Sequence, residues 1–107
     1  MTSPMIEHIV LFQFKPDASS ESLSAVVSRL RELKGKIPQI LALSCGENFC
    51  DRAQGFTHGL VARFQDSTSL QAYQDHPAHQ EVVQTLIKPI AVNILAMDYE
   101  IIEDGEE

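Results

Sequence analysis

The chain has 107 residues and a formal net charge of −7, with 44% hydrophobic and 21% charged residues. This length predicts a single domain over residues 1–107, with a core from about 6 to 102 and an acidic tail at 103–107. A nucleic-acid partner is not expected, because phosphate binding needs clustered Lys and Arg. A membrane partner is not expected either, since no apolar run approaches the roughly 20 residues of a membrane span. The absence of a secretory signal pattern favours a cytoplasmic location.

The first predicted element is a strand in IEHIVLFQFK, where apolar residues recur with a period of two. The opposite face of this strand also carries apolar residues, Ile9 and Leu11, in its middle. Both faces are therefore expected to be at least half-buried. The first face has one polar member, His8, among Ile6, Val10, Phe12 and Phe14.

An amphipathic helix is predicted next, in SSESLSAVVSRLRELKG. Ser19 or Ser20 can cap its first turn, and Gly35 is expected to end it in a left-handed conformation, with Pro38 reinforcing the stop. Its apolar side chains recur at steps of three and four, which places them on one face: Leu23, Val26, Val27, Leu30 and Leu33.

The second half of the chain predicts two strands, a helical segment and a last strand. ILALSCGEN and FTHGLVARF have strand composition, and His58 is again the only polar residue on one face of the latter. A helical segment follows from a cap at Asp66 or Ser67 to Pro89, and NILAMDYEII closes the series. The order β-α-β-β-α-β predicts an α+β, ferredoxin-like fold with a four-stranded antiparallel sheet.

The sheet face that the two helices leave uncovered is expected to be apolar. It should carry Ile9 and Leu11 from the first strand, Val61 from the third, and one of the two alternating sets of the last strand. A monomer rarely leaves such a patch in water. We therefore expect a C2 homodimer in which the two sheets face each other.

His8 and His58 indicate a cavity between the sheet and the helices. Each lies on a strand face that is otherwise made of apolar residues, where an imidazole loses hydration unless it finds a partner. Either one alone is explained by a core histidine bonded to the backbone. Together they favour a cavity in which a small ligand or water satisfies them.

The stretch YQDHPAHQ, residues 73 to 80, places a phenol and two imidazoles around a proline. Pro77 is expected to break and restart the helix, with His76 as a pseudo-cap. Tyr73 and His79 can then point toward the sheet, where a histidine beside a tyrosine can serve as a general base. Packing and capping are the alternative explanation for both residues.

Metal and disulfide chemistry are not expected. A site built from His76 and His79 with His8 or His58 is disfavoured, because the proline spoils the helical geometry that would aim the first two together. Cys45 and Cys50, spaced as C-x4-C, are expected to be ordinary thiols. No cofactor is predicted.

Several of these stretches together resemble the stress-responsive alpha/beta barrel (Dabb) domain family. The resemblance extends from about Ile6 to Ile102 and is carried by H-x-V-L-F, T-H, A-Y and H-P-A-H in that order. It implies a ferredoxin-like subunit that dimerises through its sheets into an alpha/beta barrel. It also implies a stress-related protein without an assigned reaction.

The resemblance to one branch of that family, the olivetolic acid cyclases, implies acid/base chemistry. These cofactor-free enzymes close a linear polyketide by an aldol-type condensation, and their acid/base tyrosine and histidine match Tyr73 and His79. Their strand histidines match His8 and His58. We therefore predict a protein that binds a small apolar or polyketide-like ligand through these four residues. The alternatives are a cofactor-free acid/base enzyme of the cyclase type and, third, a cofactor-free mono-oxygenase.

Overall fold

In a computed structural model, which describes residues 4–102, the chain has the predicted order of elements. The predicted acidic tail at 103–107 lies outside the described residues. The second helical segment is divided into two α-helices and a π-helical turn, Val83–Ile87. The other elements are β1 Ile6–Phe14, α1 Ser20–Lys36, β2 Ala42–Glu47, β3 His58–Phe64, α2 Ser67–Asp75, α3 Pro77–Val82 and β4 Ala91–Glu100.

The four strands form one antiparallel sheet in the order β2-β3-β1-β4. β1 is central, and its residues alternate between buried and half-buried along its whole length, as the period of two predicted. β1 pairs with β3 in a register that places His8 opposite Ala62 and Phe12 opposite His58. The predicted α+β, ferredoxin-like fold with a four-stranded antiparallel sheet is confirmed.

Helix α1 covers one face of the sheet and follows the predicted apolar stripe. Val26, Leu30 and Leu33 are its buried residues, and the Ser19 hydroxyl caps it by accepting a 3.0 Å hydrogen bond from the Ser22 amide. The predicted stop at Gly35 is wrong, because the helix continues to Lys36. The helix ends instead at extended Ile37, since the following Pro38 disfavours helical torsions in the residue before it.

The opposite face of the sheet, which we call the outer face, is largely apolar as predicted. Ile9 and Leu11 are half-buried there, although the helices of residues 4–102 pack on the other side. Of the two alternating sets on β4, register with β1 assigns the odd-numbered one to this face. Its exposed apolar side chains are Val61 (38%), Leu95 (55%), Met97 (56%) and Tyr99 (45%).

Candidate functional site

The helix break at Pro77 occurs as predicted. α2 ends at Asp75, and Pro77 is the first residue of α3. His76 lies between them with extended torsions, φ −64° and ψ 135°, as expected for a residue before proline. Its Nδ1 accepts a 3.1 Å hydrogen bond from the Ala78 amide. His76 is therefore the N-cap of the restarted helix.

The break brings Tyr73 and His79 together although they are six residues apart. Their ring centroids are 4.4 Å apart and the ring planes are inclined by 47°. Tyr73 is 1% exposed and also packs against Phe64, with 4.9 Å between ring centroids. In the described part of the chain the two side chains meet ring against ring, without a hydrogen bond from the phenol to the imidazole.

His79 is held in one tautomer by the end of α2. Its Nδ1 lies 3.1 Å from the Gln74 carbonyl oxygen, which can only accept, so Nδ1 carries the proton and donates. In the neutral ring the lone pair is therefore on Nε2. Burial lowers the pKa of His79, the Gln74 bond opposes that shift, and the nearby His8 and His76 lower it further. The neutral form consequently dominates at pH 7.

His8 is paired with a carboxylate that sequence reasoning did not single out. Its buried ring places Nδ1 2.5 Å from Oδ1 of Asp98, its direct neighbour across the β1–β4 ladder. The same ring packs edge-on against Tyr73 with 5.8 Å between centroids. A signal was present in the sequence, because Asp98 and Glu100 are polar residues that follow Ile94 and Ala96 on one face of β4.

His8, Tyr73 and His79 share a cavity of about 200 Å³ between the sheet and the helices. Burial raises the pKa of Tyr73, which keeps its hydroxyl protonated as a hydrogen-bond donor. Gln74 is the fourth polar residue of the lining. The remaining wall is apolar and comes from β1, α1, β3, the second helical segment and β4: Val10, Phe12, Leu30, Leu60, Val83, Ile87, Ile94 and Ala96.

His58, the fourth predicted site residue, lies away from this cavity. It is buried opposite Phe12, packs edge-on against Phe14 at 5.2 Å, and shares a 2.8 Å hydrogen bond through Nδ1 with the Thr57 hydroxyl. It lines two other clefts, both of which also include Glu47. Burial lowers the pKa of His58, and Glu47 opposes that shift. The structure thus brings together three of the four predicted residues.

Other predicted features concern thiols, metals and membranes. Cys45 is buried, Cys50 is exposed, and neither is in a disulfide. Across residues 4–102, no three His, Cys, Asp or Glu side chains are grouped closely enough to hold a metal ion. No helix in that same range has the length and apolar character needed to cross a membrane.

Comparison with known proteins gives matches along nearly the whole chain. The sequence profile of the stress responsive A/B barrel domain, Dabb, matches residues 6–101. A stress-response A/B barrel domain-containing protein from Arabidopsis thaliana is 36% identical over 91% of this chain. The chain spans only 37% of that relative, so the plant protein contains more than the matched region.

Solved structures with the same fold include a plant enzyme and a bacterial protein. A hydroxynitrile lyase from Passiflora edulis has a TM-score of 0.85 and 22% identity, with 94% of this chain and 96% of that chain covered. A dimeric ferredoxin-like protein of unknown function from Thermobifida fusca has a TM-score of 0.82 and 24% identity, with 92% of each chain covered. At these identities the likeness concerns the fold.

Proposed function

The chain belongs to the stress responsive A/B barrel (Dabb) family, and from this premise we propose that its cavity binds a small, mainly apolar molecule with a polar end. One observation carries the proposal: an apolar-walled space of about 200 Å³ with His8, Tyr73 and His79 grouped in its lining. An engineered cavity of roughly 150 Å³ accommodates benzene. A single substituted ring of about six to ten non-hydrogen atoms is therefore a suitable size.

The polar lining defines the functional group that such a ligand should carry. The neutral Tyr73 hydroxyl can donate a hydrogen bond, whereas the Nε2 lone pair of His79 can accept one. A carbonyl oxygen would use the first of these groups, and a hydroxyl would use both. A ligand with neither would leave buried polar atoms without partners, at a cost of about 1–3 kcal/mol each. We therefore expect ketones, aldehydes and phenols to bind more tightly than hydrocarbons of equal size.

Binding can be tested by NMR titration with two probes of equal size. Acetophenone carries a carbonyl, while isopropylbenzene has the same number of non-hydrogen atoms and none that hydrogen-bonds. Acetophenone should shift the resonances of His79 and Tyr73 at lower concentration than isopropylbenzene. Ala96→Leu should weaken the binding of both probes because the larger side chain fills the cavity. His58→Gln changes a residue outside the cavity and should leave their binding unchanged. Equal affinities of wild type and A96L for acetophenone would refute the proposed site.

A second candidate function, cofactor-free proton transfer, is favoured by the His8–Asp98 pair and by the tautomer of His79. In this reaction Nε2 of His79 takes a proton from carbon next to a bound carbonyl. The electron pair moves to the carbonyl oxygen, and the Tyr73 hydroxyl stabilises the developing oxyanion. His8, oriented by Asp98, supplies a second imidazole to the same cavity. This is the type of step that aldol-type cyclases need, and a fold relative is a hydroxynitrile lyase.

Hydrogen exchange measures that step without knowledge of the natural substrate. In D₂O, wild-type protein should accelerate deuterium incorporation into the acetophenone methyl group, which a proton NMR spectrum follows. His79→Gln should abolish the acceleration, and H58Q is the matched control that should keep it. If acetophenone binds but exchanges no faster than in buffer, the cavity is a binding site for this ligand and the proton-transfer function is refuted for it.

The same proposal includes a homodimer that buries the outer face. Leu95, Met97 and Tyr99 lie at alternate positions of β4 and expose about half of their surface on one face, which is a costly arrangement for a monomer in water. Half-buried Ile9 and Leu11 extend the patch across β1. A second copy with the same face is the partner that a C2 axis supplies. The cytoplasmic location stays a prediction.

A further inference from the structure

We infer that His76 is a positioning residue for His79: by capping the Ala78 amide it leaves the Gln74 carbonyl to fix the His79 tautomer. This role of His76 deepens the proposed function, and its importance for ligand binding or proton transfer rests on that proposed function. The two histidines act through two different hydrogen bonds at the same helix break, 3.1 Å from His76 Nδ1 to the Ala78 amide and 3.1 Å from His79 Nδ1 to Gln74.

The helix break changes the hydrogen bond that the Ala78 amide makes. In such a helix the Ala78 amide would donate to the carbonyl four residues earlier, which belongs to Gln74. Here the extended torsions of His76 turn the chain, and the Ala78 amide donates to the His76 ring instead. The Gln74 carbonyl is thereby released for other donors. Pro77 contributes because it has no amide proton and disfavours a helical His76.

Two side chains from the restarted helix use the released carbonyl. His79 donates to it through Nδ1, and the Gln80 side-chain amide donates to it at 2.7 Å. A carbonyl oxygen has two lone pairs, so both bonds can form together. If the Ala78 amide returned to Gln74, it would compete for this acceptor and remove the constraint on the His79 ring.

The bond to Gln74 determines which ring nitrogen of His79 has the lone pair that can accept a proton or a hydrogen bond. With Nδ1 bound to the carbonyl, the lone pair of the neutral ring is on Nε2, in a ring that lines the cavity and packs on Tyr73. Without that bond the proton can move to Nε2, and the ring would then present a donor in place of a base. His76 therefore determines the hydrogen-bonding character of His79 without touching a ligand itself.

Histidine tautomers can be measured directly in the ligand-free protein. Long-range ¹H–¹⁵N NMR spectra distinguish a protonated from an unprotonated ring nitrogen, and at pH 7.5 wild-type His79 should show Nδ1 protonated and Nε2 unprotonated. His76→Ala should lose this single-tautomer pattern. His76→Asn should retain it, because the asparagine oxygen can accept from the Ala78 amide. Gln80→Leu, which removes only the second donor to Gln74, should also retain it.

The outcomes separate positioning from simple capping. Loss of a cap alone would lower the unfolding temperature of H76A and leave the His79 tautomer as in wild type, and that result overturns the inference. An equal change of the His79 tautomer pattern in Q80L and H76A overturns the inference as well. If H76A does not fold, His76→Gly also removes the side-chain acceptor at a position where glycine is tolerated as a helix N-cap, and it should lose the same pattern, whereas retention in folded H76G refutes the inference. Ligand titrations are independent of these spectra, so failure of the cavity proposal is recognised separately.

Discussion

His8 and Asp98 lie directly opposite each other on β1 and β4, and a 2.5 Å hydrogen bond joins Nδ1 of the imidazole to the carboxylate. The carboxylate accepts, so Nδ1 donates and the ring orientation is fixed. Such a carboxylate–imidazole pair is the usual means of orienting a histidine that works at its other nitrogen. Here the oriented ring also packs edge-on against Tyr73, which links the pair to the cavity.

Asp98→Ala should destabilise the protein by about 1–2 kcal/mol, because it removes the partner of a buried histidine while the carboxylate itself is partly exposed. Urea unfolding followed by far-UV circular dichroism measures this change. Asp51→Ala removes an exposed carboxylate from the β2–β3 loop and should stay within about 0.5 kcal/mol of wild type. Equal unfolding midpoints for all three proteins would contradict a stabilising His8–Asp98 bond.

The ring of Tyr73 should contribute mainly to the stability of the fold, and its hydroxyl mainly to the binding of the ligand. Tyr73→Phe keeps the packing against Phe64 and His79 and should change the free energy of unfolding by less than about 1 kcal/mol. Tyr73→Ala empties a fully buried position and should cost about 3–5 kcal/mol. Preference for acetophenone over isopropylbenzene should disappear in Y73F, as judged by NMR titration. A preserved preference would show that the hydroxyl is not the donor to the ligand.

The stability of the fold should decrease in mild acid. Burial lowers the pKa of both His58 and His79 in the folded protein, so below the ordinary histidine pKa of about 6.5 the unfolded state binds more protons. The free energy of unfolding therefore rises with pH through this range, and the contribution of the two histidines reaches its full value only above about pH 7. Urea unfolding at pH 7.5 and 5.5 should show the lower value at pH 5.5.

The two histidines can be identified as the source of this pH dependence by substitution. In the double variant H58Q/H79Q neither position can bind a proton, so the difference in unfolding free energy between the two pH values should become smaller. Each single variant should give an intermediate difference. A double variant with the same pH dependence as wild type would assign the effect to other groups.

A charge on the outer face should prevent dimerisation. Met97→Glu places a carboxylate in the centre of the exposed apolar strip on β4, where a second sheet would have to bury it. Sedimentation velocity at micromolar concentration should show wild type as a dimer and M97E as a monomer. Leu41→Glu alters a leucine of similar exposure that precedes β2, and it should remain dimeric. A monomeric wild type would refute the proposed sheet-to-sheet assembly.

Local patterns in the sequence determined most of the fold. The period of two identified β1 and β3, the steps of three and four identified α1, and Pro77 marked the break that brings Tyr73 onto His79. Each of these features depends on residues within about one helical turn or one short strand of each other. Gly35 is the exception, since the conformational freedom of glycine permits a helix end without requiring one.

The composition of the site depended on pairing between distant segments. His8 and His58 both follow a period of two on inward strand faces, but β1 and β3 run antiparallel, so the beginnings of these strands lie at opposite ends of their ladder. Phe12, four residues along β1 from His8 and hence about 13 Å away, is the residue opposite His58. Strand periodicity specifies a face and carries no information about position along the sheet.

Local sequence patterns thus specified the order of the elements, the strand faces that carry His8 and His58, and the tyrosine and histidine of the helix break. Three features came from the folded chain: Asp98 binds His8, 90 residues earlier, His58 lies apart, and the Gln74 carbonyl selects the His79 tautomer. Local patterns do not contain them, because propensity and periodicity act over a few neighbouring residues. Strand register and hydrogen-bond competition at a helix break are set by packing across the whole domain.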